Sequence, residues 1–150
     1  MNTSPVNIPG LRSPYEQVGG LYHFGRMLDK IRLHHTGKLP SGWVDPLGAP
    51  NGFDGRCCAF LEIDYNALKE ETLKGGSDEA LLEWAYQHGH RPNAEQINIW
   101  NGFISKLGWR DKSTERLHFR LQEIGKPPGT VLTMFDFIEI DEGRPARFPN

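Results

Sequence analysis

The sequence predicts an all-α fold: a single compact domain of five or six helices, with a long packed loop after the first. Three observations carry this. Capping residues recur ahead of apolar residues spaced three or four apart. Glycine follows nearly every such stretch, where a helix commonly ends. No run alternates apolar and polar residues around a tight turn, as a β-hairpin would. At 150 residues the chain is long enough for one core that buries roughly two thirds of the unfolded surface.

Residues 1–10 hold Pro5, Pro9 and Gly10 with no periodicity and read as an extended N-terminal arm. The domain proper spans 11–144, and 145–150 form a tail. Ser13, Pro14 and Glu16 together make a helix start: a cap, a first-turn proline and a capping box. That first and longest helix should run to about His35, stopped by Gly37 and Pro40. Leu21, Phe24, Leu28 and Ile31 form its core face. Gly19, Gly20 and Gly25 inside it each cost roughly 1 kcal/mol relative to alanine, so close packing or a ligand must compensate.

From Gly37 to Gly55 no period is visible. Leu39, Trp43, Val44, Leu47 and Phe53 are too apolar for a solvated tether, so this loop should pack over the first helix. Asp54 then reads as the N-cap of a short helix through Leu61. Asp64 caps a helix through Leu68 and Leu73, ended by Gly75 and Gly76. Ser77 caps one ended by Gly89. Asn93, with Gln96 at the capping-box position, starts another, with Ile97, Trp100, Phe103, Ile104 and Leu107 facing in. A further helix covers about Ser113 to Ile124. The stretch 131–142 fits a strand or a helix, and the Thr133–Asp136 cap with Gly143 as terminator favours helix.

Several classes are disfavoured. The formal net charge of −2 argues against a general nucleic-acid binder. No apolar run is long enough for a membrane span, and the N-terminus lacks the charged-then-apolar order of a signal peptide. The two cysteines are adjacent and cannot staple a secreted domain. The expected location is the cytoplasm.

Those cysteines offer the sharpest chemistry. If Asp54 caps the short helix, Cys57 lies in its first turn, where unpaired N–H groups and the dipole favour an anion. Arg56 adds positive charge. The pKa of Cys57 should then fall below that of an ordinary thiol, giving a nucleophile. The alternative is that both cysteines pack as small hydrophobes.

His23, Arg26, Lys30 and His34 line one face of the first helix, a stripe suited to a carboxylate or phosphate; a solvated helix face explains the same spacing. Asn101, mid-helix beside Trp100, should aim its amide at a buried partner. Neither the Cys57–Cys58 pair nor His88 and His90 have the spacing of a zinc site, so no metal is expected. Asp136, Glu139, Asp141 and Glu142 could hold a divalent cation, but without the glycine-punctuated loop of a calcium hand they read rather as an ion-pair knot with Arg144, Arg147 or Lys38. No phosphate loop, dinucleotide fingerprint or nucleophile elbow is present, and the sequence leaves any cofactor unassigned.

Blocks along nearly the whole chain resemble a catalogued family. They include Leu11-Arg12-Ser13-Pro14, Gly19-Gly20-Leu21, Gly25 to Arg32, Gly37-Lys38-Leu39-Pro40, Gly52 to Leu61, Trp100-Asn101, Gly108-Trp109-Arg110-Asp111 and Phe135 to Ile138, with Asp141 to Arg144. The chain is similar to domain of unknown function family 5069. The resemblance implies a small soluble bacterial protein and leaves the activity open.

Two functions of different class follow. One is a small-molecule enzyme: Cys57 as thiolate, His23 or His34 as acid or base, with Arg26, Lys30, Arg56, Asp54 and Asn101 around an anionic substrate. The other is a non-catalytic module binding an anionic metabolite or a partner protein, with self-association left open.

Overall fold

The computed structural model describes residues 6–148. Among them it is helical throughout, with seven α-helices and no strand. These are α1 (Phe24–His35), α2 (Phe53–Leu61), α3 (Tyr65–Leu73), α4 (Asp78–His88), α5 (Ala94–Ile104), α6 (Thr114–Glu123) and α7 (Met134–Asp141). The count is slightly above the five or six expected, and α1 is the longest. No helix of the described residues is long and apolar enough to cross a membrane.

Most caps form where local chemistry places them. Asp64 accepts the Ala67 N–H at 2.9 Å and Ser77 the Ala80 N–H at 3.1 Å. Asn93 and Gln96 make a reciprocal capping box, with bonds of 2.9 and 2.8 Å. Thr133 accepts from Asp136 N, so 134–141 is helix, as the cap predicts.

Two starts differ from expectation. The first helix begins at Phe24, ten residues after Pro14. Ser13 instead closes a turn, its hydroxyl accepting from Tyr15 N and its carbonyl from Glu16 N. Val18 and Leu21 then form an isolated bridge around Gly19 and Gly20, whose φ values of 56° and 85° lie in the left-handed region. Such φ values cannot continue a right-handed helix. The glycines serve a tight turn, and the helix is shorter for it. In α2 the N-cap is Gly52, with no side-chain cap, and Asp54 already lies within the helix.

The chain divides into two compact units, one of Gly10–Asn101 and one of the residues before Gly10 with those from Gly102 onward. In the first unit Leu21, Phe24, Met27, Leu28, Leu61 and Leu68 are fully buried. The loop after α1 contains a 3-10 turn at Ser41–Trp43; it is packed, with Leu39 buried and Trp43, Val44 and Leu47 half-buried. Asn101 clamps the glycine turn: its amide donates to Gly20 O at 2.8 Å and its oxygen accepts from Tyr22 N at 2.9 Å.

In the second unit Leu117 and Leu121 of α6 pack with Val131 and Phe137. Val6 N bonds Asp141 O at 2.8 Å, so this part of the N-terminal arm is held; the rest of the arm, 1–5, lies outside the described residues. Arg144 donates to Glu139 at 2.8 Å and Glu142 at 2.7 Å. Asp136 accepts from Arg147 N and Phe148 N. The acidic run is therefore an ion-pair and capping knot that ties down the start of the tail.

Candidate functional site

The first unit contains two polar networks, the inner one buried and the outer one partly exposed, and a cavity beside them. The inner network centres on Asp54. His23 lies where the chain enters α1, at a φ of 74°, and its Nε2 meets Asp54 Oδ1 at 2.8 Å. Lys30 Nζ reaches the same oxygen at 2.8 Å. Gly48 N donates to Oδ2 at 3.1 Å. His23 is 0% and Asp54 1% exposed, so these bonds act with little screening.

Burial opposes ionisation of Asp54, yet the Lys30 charge and the His23 contact hold its carboxyl well below the usual range. Burial pushes His23 down to about 4, against the pull of Asp54 and with Lys30 and Arg26 adding to the fall. At neutral pH the imidazole is thus neutral. Since an ionised carboxylate only accepts, Nε2 carries the proton and Nδ1 the lone pair. Nδ1 is buried with no hydrogen-bond partner among the described residues.

The outer network was not legible in the sequence. Arg12 grips Asp29 with two guanidinium nitrogens, at 2.8 and 3.0 Å, and reaches Asp78 at 2.7 Å. Arg32 meets the other Asp78 oxygen at 2.9 Å. A Cβ on Gly25 would lie 2.8 Å from Arg12 Cζ, so this helical glycine makes room for the guanidinium. Arg26 is buried, and one of its nitrogens donates to Arg12 O at 3.1 Å.

These networks correct the cationic stripe. His23, Arg26 and Lys30 are buried among protein partners; of the four only His34 is exposed. The reason is the supply of acceptors: Asp54 and the Arg12 carbonyl take the charges that the helix alone presents. Asp54 is correspondingly no cap, because its side chain turns inward. Asn101 is spent on the glycine turn. Arg56 is half-buried on α2.

The environment expected for Cys57 is also corrected. It is the fifth residue of α2, past the first turn, and 0% exposed. Burial pushes its thiol well above the ordinary value, with Cys58 and Asp54 raising it further against Lys30. Burial, with Asp54 and Asp64, takes Cys58 up to about 12. Both behave as buried thiols; Cys58 Sγ sits 3.9 Å from Met27 Sδ.

A cavity of about 520 Å³ opens beside Gly48. Ile31, His34 and His35 of α1 form one side; Val44, Leu47 and Gly48 of the loop another; Asp64 and, from α3, Tyr65, Asn66, Lys69 and Leu73 the third. Gly48 has a φ of 67°, and a Cβ there would come within 2.5 Å of the Tyr65 ring. Glycine is therefore required where loop and α3 meet. Through the Gly48 N–H, the buried Asp54 holds one wall of this cavity.

His34, His35 and Lys69 have side chains with no hydrogen bond or ion pair to any described residue. His34 was foreseen as a site residue. His35, Tyr65 and Lys69 were not, since the elements carrying them are joined only in space.

No curated protein matches the chain. Residues 8–144 match the family model described as Domain of unknown function (DUF5069), and the chain belongs to that family.

Proposed function

We propose that the chain is a non-catalytic binding module for a small metabolite bearing a carboxylate, held in the cavity between α1, the following loop and α3. One observation carries this reading. His34, His35 and Lys69 converge on the cavity uncommitted, whereas Arg12, Lys30 and Arg32 are engaged by carboxylates. Uncommitted donors around a cavity of this size suit a small-molecule site, and Ile31, Val44, Leu47 and Leu73 add apolar cover to a largely polar lining. The cysteine-centred reaction is not advanced, because a nucleophilic thiolate needs exposure and a lowered pKa, and Cys57 has neither.

Calorimetric titration with short aliphatic carboxylates tests the reading. Binding should weaken at least about tenfold in Lys69→Met and be unchanged in Cys57→Ala. Absence of binding by every carboxylate, or binding indifferent to Lys69→Met, would contradict it.

A further inference from the structure

We infer that the ligand is a zwitterion, an α-amino acid with an apolar side chain. This rests on the carboxylate-binding reading and adds the ligand's class. The cavity wall carries charge of both signs. Lys69 supplies a cation and Asp64 a carboxylate. Asp64 spends Oδ2 on the Ala67 N–H at 2.9 Å, and its Oδ1 carries no hydrogen bond among the described residues. Asp64 caps the start of α3 and Lys69 lies five residues along the chain, and both line the cavity. A ligand that carries both an ammonium and a carboxylate can meet both groups. A simple anion would meet the repulsion of Asp64.

The remaining wall fits the rest of such a ligand. Ile31, Leu47 and Leu73 come from three separate elements to the same cavity and offer apolar cover to a side chain. Tyr65 brings a phenol kept protonated by burial and by Asp54 and Cys58, a donor for a carboxylate oxygen. A phosphate suits the site poorly. No arginine lines the cavity, and the α3 N-terminus, where an anion would sit, is already capped by Asp64.

The intact chain would be titrated calorimetrically at pH 7 with leucine, 4-methylpentanoate, 3-methylbutylamine and inorganic phosphate. Leucine should bind at least about tenfold tighter than the acid or the amine. In Asp64→Ser, which keeps an N-cap and removes the charge, leucine should lose its advantage over 4-methylpentanoate. Equal binding of leucine and 4-methylpentanoate in the native chain, or an advantage that survives Asp64→Ser, would overturn the inference and leave the carboxylate reading standing. No binding by leucine or 4-methylpentanoate, or tight binding by phosphate alone, would overturn both.

Discussion

His23 and Asp54 lie 31 residues apart in sequence and meet at 2.8 Å, both almost wholly removed from solvent. The contact joins the entry of α1 to α2. Because Asp54 also accepts from Gly48 N, it fixes the loop that walls the cavity.

Acid should therefore loosen the fold in a defined window. His23 titrates near 6.5 in the unfolded chain and is pushed down to about 4 in the folded one. Between those values the unfolded state binds more protons, so stability rises with pH. The His23 contribution is complete above about pH 6.5 and is lost as pH falls to 4, by roughly 3 kcal/mol in all. Urea unfolding at pH 7, 5.5 and 4 would show the decline. In His23→Asn, which tolerates the left-handed backbone, the decline over this window should shrink by about that amount.

Asp54→Asn should destabilise by about 3–5 kcal/mol, because it leaves the Lys30 charge buried without its carboxylate. Adding Lys30→Met should recover much of the loss, since the buried ammonium is then removed together with its carboxylate. Denaturation midpoints of the two variants check this; equal stability of the single and double variants would contradict it.

Neither thiol should react readily in the native protein. Both are buried with raised pKa, so thiol titration at pH 8 should find them only after denaturation. Cys57→Ser should cost about 1–3 kcal/mol by placing a hydroxyl in a fully buried site. Prompt modification of Cys57 in the folded chain would reopen the thiolate chemistry.

That reversal shows which parts of the molecule were legible. Helix starts set by near neighbours, as at Asp64, Ser77, Asn93 and Thr133, are local chemistry and formed as read. Asp54 has the same local signature as Asp64, yet it turns inward to His23 and Lys30. A cap and a buried acceptor differ only in what lies across from them, and no local spacing records that. The Ser13-Pro14 start is overridden for a related reason: left-handed residues at Gly19, Gly20 and His23 hold α1 back to Phe24. Of the site, His34 was visible as a polar residue on a helix face. Lys69 and Tyr65 acquire meaning only when α3 packs on α1.

Gly25→Ala decides between propensity and packing. Alanine favours a helix by roughly 1 kcal/mol over glycine, but its Cβ would meet the Arg12 guanidinium at 2.8 Å. That group is held by Asp29, Asp78 and the Gly25 carbonyl and cannot swing aside without breaking those bonds. A net loss of about 1–3 kcal/mol is expected, read as a lower melting temperature. A stabilised variant would show that Arg12 yields easily.

The most direct test of the binding reading observes the cavity's own histidines. Histidine side-chain resonances of the intact protein, assigned by single His→Gln variants, would be followed by NMR while 4-methylpentanoate is added at constant pH. The account predicts saturable shifts at His34 and His35, no comparable shift at His118 on α6, and loss of the response in Lys69→Met. Resonances of His34 and His35 that stay in place, or that move no more than His118, would contradict a carboxylate site in this cavity.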